Sequence, residues 1–118
     1  MKDTILVASW DPALEAARKR VLESAGYEVL LARGSKGVRN VCEKKRVSLV
    51  LIGYSLPPSE KRRVWVEARA VCKTPILQLY QGDKPELLES TALFAHQTNA
   101  PDDFVLAVQN ILQRNNQN

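Results

Sequence analysis

Hydrophobic and polar positions divide the chain into short apolar runs separated by longer stretches whose apolar residues recur every three or four positions. Thr4-Ile5-Leu6-Val7-Ala8 is the first run, a strand ended by Ser9-Trp10-Asp11-Pro12. Asp11 before Pro12 marks a helix start: the carboxylate caps free N–H groups, and proline at the first helical position loses nothing by lacking one. That helix runs to about Ala25, with Leu14, Ala17, Val21 and Leu22 as its inward stripe and Gly26 as its stop. Tyr27 to Ala32 is the second strand. A second helix, with Ser35 as its cap, reaches about Lys45 and buries Val38, Val41 and Cys42. Val47-Ser48-Leu49-Val50-Leu51-Ile52 is nearly all apolar and rich in Val and Ile, so it reads as a strand buried on both faces. Pro57-Pro58 breaks the chain after it. Ser59 caps a third helix from about Glu60 to Cys72, with Val64, Ala68 and Val71 inside.

Lys73-Thr74-Pro75 turns into a fourth strand, Ile76 to Tyr80. A short helix from Pro85 to Ser90 follows, then a weaker fifth strand, Leu93 to His96. The last helix, about Asp102 to Gln113, buries Phe104, Val105, Val108, Ile111 and Leu112. The polar residues after it form a tail, with the domain ending near residue 115 and residues 116–118 fraying. Strands that alternate with helices across short loops predict one α/β domain, a parallel sheet with helices on both faces joined by right-handed crossovers.

Composition adds limits. The chain has 118 residues, 45% hydrophobic and 25% charged, which suits a globular domain with a real core. No apolar run approaches the roughly 20 residues that span a bilayer, and Met1-Lys2-Asp3 leads directly into a strand with no signal-peptide pattern. A cytoplasmic protein with no membrane contact is the expectation. Cys42 and Cys72 fall within helical patterns, and neither has a second cysteine or a histidine at metal-ligand spacing. They read as small hydrophobes in a reducing compartment, without a disulfide. The net charge of +4 and a pI near 9.3 permit an acidic partner without demanding one.

In open α/β sheets, ligands bind beyond the carboxyl ends of the strands. At the end of the most buried strand stands Gly53, which has no nucleophile, charge or metal ligand, followed by Tyr54 and Ser55. The best position for chemistry in such a fold is blank.

Several passages in order carry a resemblance. They are Ile5-Leu6-Val7-Ala8 with Asp11-Pro12, Leu22-Glu23-Ser24-Ala25-Gly26-Tyr27-Glu28-Val29, Ser48 to Ile52 with Leu56-Pro57, Thr74-Pro75-Ile76-Leu77, and Ala100-Pro101-Asp102-Asp103-Phe104. Together they resemble the receiver domain of bacterial response regulators, of the CheY-like superfamily, along essentially the whole chain. The resemblance implies a flavodoxin-like (βα)5 three-layer sandwich with a five-stranded parallel sheet of order 2-1-3-4-5. It also implies a family chemistry, phosphoryl transfer to an aspartate. That chemistry needs a nucleophilic carboxylate, an acidic pair holding Mg²⁺, a hydroxyl for the phosphoryl oxygens and a lysine, because metal and lysine neutralise the phosphoryl charge.

Carried over by position, the acidic pair falls on Ser9 and Trp10, the phosphoacceptor on Gly53, the hydroxyl on Tyr80 and the lysine on Gln97. Nucleophile, metal carboxylates and cation are all missing, so the resemblance is to a degenerate pseudo-receiver with no catalytic residue, no metal and no cofactor. Asp11 reads as a helix cap rather than a substitute ligand, and Ser55 has no base beside it to activate its hydroxyl. Trp10 has two readings: its ring, with Tyr80, plugs the empty pocket and Gly53 makes room for it, or it lies on a surface loop beside a tight turn. Phe94 falls on the family's aromatic switch position; held by Tyr80 behind it, it would fix the face of helix 4, strand 5 and helix 5 in one state. The alternative is an aromatic at the core edge.

The expected function is a phosphorylation-independent signalling module of a two-component-type pathway that binds a protein or a second copy of itself through that face, with no small-molecule substrate. The alternative is a nucleic-acid-associated module using Lys44-Lys45-Arg46, Lys61-Arg62-Arg63, Arg69 and Lys73. These clusters also read as solvated faces, since only Trp65 offers a stacking ring near them. His96 has no partner for catalysis or metal binding, and Gly34 with Gly37 forms no phosphate-binding fingerprint.

Overall fold

The computed structural model of the chain describes residues 2–82, 84–85, 93–98 and 103–116. It contains five strands: β1 (Thr4–Ala8), β2 (Glu28–Ala32), β3 (Leu49–Ile52), β4 (Ile76–Tyr80) and β5 (Leu93–Gln97). The described helices are α1 (Pro12–Ser24), α2 (Gly34–Lys44), α3 (Pro58–Glu67, continued by a π-helical segment Ala68–Cys72) and α4 (Phe104–Asn116). The strands form one parallel sheet of order β2-β1-β3-β4-β5. This is the flavodoxin-like arrangement that the alternating pattern and the resemblance imply.

Every residue of β3 is buried, as its unbroken apolar run requires for a central strand covered on both sides. Successive side chains point to opposite faces and feed two separate cores. Leu6, Ala8, Val50, Ile52, Ile76 and Leu93 meet Val38 of α2, Val64 of α3 and Ala68. Ile5, Val7, Leu49, Leu51, Leu77 and Leu79 meet Leu22 of α1 and Phe104, Val108, Ile111 and Leu112 of α4. Among the described residues no helix is long and apolar enough to cross a membrane.

Element ends follow local chemistry. Asp11 caps α1, its Oδ1 accepting the N–H groups of Ala13 at 3.0 Å and Leu14 at 3.4 Å. Gly26, at φ 99°, closes the helix: its N–H donates to the Glu23 carbonyl and that of Tyr27 to the Leu22 carbonyl, a pairing that needs a left-handed residue. Elsewhere the ends depart from expectation. Strand β3 starts at Leu49 rather than Val47. Helix α2 has no cap of its own from Ser35. Instead, the Ser35 N–H donates to Glu60 Oε1 of α3 at 2.8 Å, so a buried carboxylate from a neighbouring helix serves the positive end of α2. Helix α3 begins at Pro58 rather than Glu60, with no side-chain cap from Ser59. Helix α4 persists to Asn116, past the expected end at Gln113. The expected helix at Pro85 to Ser90 falls at 86–90 outside the described residues.

Two larger corrections concern what the helices carry inward. Of the expected stripe of α1, Leu22 is buried and Val21 packs against the core, but Leu14 is only half-buried and Ala17 is exposed, while Glu15 and Arg18 are buried. Helix α1 therefore buries two charged residues beside its apolar stripe. The cysteines, read as unpaired, form a Cys42–Cys72 disulfide between α2 and the end of the π-helical segment, their Cα atoms 5.1 Å apart. Helices α2 and α3 lie side by side on one face of the sheet, and that proximity was invisible in the linear pattern.

Candidate functional site: the carboxyl edge of the sheet

Parallel strands deliver their carboxyl ends to one edge, and there the chain brings Ser9, Gly53, Tyr80 and Gln97 onto neighbouring strands. The Gly53 N–H donates to the Ala8 carbonyl at 2.9 Å, which locks the exits of β1 and β3 together. Ser9 is fully buried, and its Oγ lies 3.0 Å from Ser55 Oγ and accepts the Asp11 N–H at 3.3 Å. The two serines therefore tie the loop after β1 to the loop after β3. Tyr80 and Gln97 are register partners at the exits of β4 and β5, and Gln97 Nε2 donates to the Gly82 carbonyl at 2.7 Å.

The centre of this edge is filled, and not by an aromatic ring. Arg18 reaches in from α1 and is only 4% exposed. A β-carbon at position 53 would lie 2.5 Å from Arg18 Nη1, 3.3 Å from Ser9 Oγ and 3.4 Å from the Ala8 carbonyl oxygen. The backbone at 53 is not left-handed, so glycine is there for space. The guanidinium carbon sits 5.0 Å from the centre of the Tyr54 ring, a cation–π contact that replaces part of its lost hydration. Nη1 has no hydrogen-bond partner among the described residues. Burial pulls the guanidinium below its ordinary pKa and outweighs the opposing pull of Tyr54, Asp11 and Glu15. It stays cationic at neutral pH nonetheless, since arginine does not deprotonate in proteins. One turn earlier, buried Glu15 turns Oε1 toward Arg33 Nε at 3.9 Å, too long for a hydrogen bond.

Trp10 is 44% exposed, so the plug reading of this residue gives way to the surface reading. Phe94 pairs with Leu77 in register and packs with the core under α1 and α4. Tyr80 is three positions beyond Leu77 and so belongs to the opposite face of the sheet. It does not stand behind Phe94.

The resemblance to receiver domains implies Mg²⁺ at this edge, and the described residues do not fit it. The groups that converge here are two hydroxyls and a buried guanidinium. The Asp11 carboxylate is spent on capping α1, and a divalent ion would sit against the charge of Arg18.

The basic clusters do not make a continuous stripe. Lys44, Lys45 and Arg46 are exposed at the end of α2, but Lys61 is buried. Arg63 Nη1 lies 3.7 Å from Glu60 Oε2, and Arg69 leans over Trp65 at 5.9 Å. His96 Nε2 lies 3.3 Å from Asp103 Oδ1, which also accepts the Thr98 hydroxyl at 2.9 Å, so this histidine belongs to a local polar contact.

Sequence reasoning missed Arg18 and Glu15. The signal was present: Asp11, Glu15, Arg18 and Leu22 fall on one helical stripe that runs from a cap to a core leucine.

No protein-family profile and no curated protein sequence matches the chain. Solved structures do match. The signal receiver domain of an HD domain-containing protein from Pseudomonas fluorescens superposes with a TM-score of 0.82 at 14% identity, over 100% of both chains. The response regulator receiver protein from Sinorhizobium medicae gives 0.78 at 18% identity, over 95% of each chain. The chemotaxis protein CheY4 of Vibrio cholerae gives 0.75 at 18% identity, over 94% of this chain and 99% of that one. At that identity the likeness is one of architecture, and the chain has the fold of a CheY-like receiver domain from end to end.

Proposed function

We propose that the chain is a receiver-like signalling module of a two-component-type pathway that takes no phosphoryl group. It acts by binding a protein, or a second copy of itself, through the face that β5 and the last helix share with the segment before β5. The observation that carries this reading is the Arg18 guanidinium in the space that a side chain at position 53 would need. Aspartyl phosphorylation requires a carboxylate nucleophile there and oxygen ligands for a divalent ion beside it. This edge offers a glycine, two mutually hydrogen-bonded serines and a fixed positive charge. Ser55 is no substitute, because its hydroxyl partner is another serine rather than a base. Among the described residues of this edge no hydroxyl stands beside a base, which supports a function carried by surfaces.

The test is direct. The chain is incubated with a small phosphodonor and Mg²⁺, and its intact mass is read. The mass is expected to stay unchanged; a phosphoryl adduct on any residue overturns the reading. Pull-down with the tagged domain, nuclease-treated and untreated, then separates a protein partner from a nucleic-acid one.

A further inference from the structure

At the amino edge of the sheet, opposite Gly53, the segments that lead into β1, β3 and β4 surround a cleft of about 960 Å³. That is the size of a small-molecule site. Both Cys42 and Cys72 line it, each half-buried and packed against the core under α2 and α3, so their disulfide lies in the cleft wall. Lys2, Lys45, Arg46 and Lys73 also line the cleft, all exposed. Among the described lining residues two are acids, Asp3 and Glu28. Of these, Asp3 is engaged by the Ser48 hydroxyl at 3.1 Å, and Glu28 lies on the edge strand. A wall that carries a half-buried sulfur–sulfur bond and an excess of cations has a chemistry of its own. Thiol–disulfide exchange begins with an anionic thiolate approaching a sulfur, and cations around a concave site raise the local concentration of anions.

We propose that this cleft is a thiol–disulfide exchange site for a small thiol that carries carboxylate groups. The thiolate attacks one sulfur of the Cys42–Cys72 bond. That bond breaks, a mixed disulfide forms, and the other cysteine leaves as a thiolate that takes up a proton. A second thiol then attacks the mixed disulfide, releasing the first cysteine as its thiol and the two small molecules as their own disulfide. Two electrons and two protons pass from the two small thiols to the protein. The carboxylates dock on Lys45, Arg46 and Lys73 and orient the attack.

The test uses the oxidised full chain and three probes: mercaptosuccinate as the anionic thiol, 2-mercaptoethanol as the neutral one and cysteamine as the cationic one. Rates of opening, followed by free-thiol titration and intact mass, are divided by the rates of the same thiols on a neutral, unstructured disulfide. This removes differences in thiolate fraction and nucleophilicity. At low ionic strength the corrected rate for mercaptosuccinate should exceed that for cysteamine by about tenfold or more. High salt should collapse the ratio toward one. So should Lys45→Glu/Arg46→Glu/Lys73→Glu, which leaves the disulfide in place; the salt arm decides if that variant does not fold. Equal corrected rates for the three thiols would overturn the proposal. So would a preference that salt leaves untouched, or a disulfide that all three thiols fail to open in the folded chain.

Discussion

A glycine at the end of a buried strand and an arginine two turns into a helix look unrelated in the sequence, yet in the fold each explains the other. Gly53 leaves the space that Arg18 occupies, and a side chain at 53 would have to displace it. Gly53→Ala should therefore lose about 1–3 kcal/mol of stability in denaturant unfolding, the usual cost of overpacking. Shortening the arginine should restore much of that loss. In a double-mutant cycle with Arg18→Ala, a coupling of about 1 kcal/mol or more is expected, and additivity would mean the two residues do not compete for the space. Arg18→Met has a different outcome. It keeps an unbranched stem and removes a buried charge whose Nη1 has no hydrogen-bond partner among the described residues, so stability should hold or rise, as when buried ions are replaced by apolar groups of similar volume. The sequence hid this pair because the inward stripe of α1 was read from its apolar residues alone. That rule assigns charges to water, and Arg18, which fills the space beside Gly53, and buried Glu15 both break it. Gly53 was legible as a blank position, but the residue that fills the blank was not.

The helices show the same division between what a linear pattern carries and what proximity adds. The stripes of α2, α3 and α4 were readable because they are apolar and regularly spaced, and Val38, Val64, Ala68, Phe104 and Val108 are buried as that spacing implies. The cap of α2 was not readable, since it comes from Glu60 on another helix, 25 residues away in the chain. Glu60→Ala should cost about 1 kcal/mol, the usual worth of a helix cap. The loss should concentrate in α2, with faster amide exchange at Ser35 than elsewhere in the helix. If exchange there is unchanged, the carboxylate does not serve as the cap. Glu60 also receives Arg63 at 3.7 Å, but that arginine is largely exposed, and Arg63→Ala should change stability by less than about 0.5 kcal/mol.

For the molecule as a whole, a parallel sheet with a core on each face follows from the alternation of apolar runs and amphipathic stretches, while its strand order was legible only through the resemblance to receiver domains. The Cys42–Cys72 bond was not, because each cysteine in isolation looks like a small hydrophobe within a helix. Pairing them requires knowing that α2 and α3 share one face of the sheet and that the chain continues past α3 as a wider π-helical turn ending at Cys72. The bond closes a loop of 30 residues, and on the chain-entropy account such a loop is worth about 3–4 kcal/mol. Cys42→Ser/Cys72→Ser should lower the unfolding free energy by close to that amount, and a loss below about 1 kcal/mol would mean that the cross-link does not restrain the unfolded chain.

That closed loop contains all of β3, the central strand. The same feature has a mechanical side. If the two ends of the protein are pulled apart, the segment between the cysteines cannot pay out, and roughly 100 Å of contour length is withheld from the extended chain. The oxidised chain should therefore show a shorter rupture length in single-molecule stretching than the reduced one. Its middle strand stays inside a covalent ring after the sheet around it has come apart.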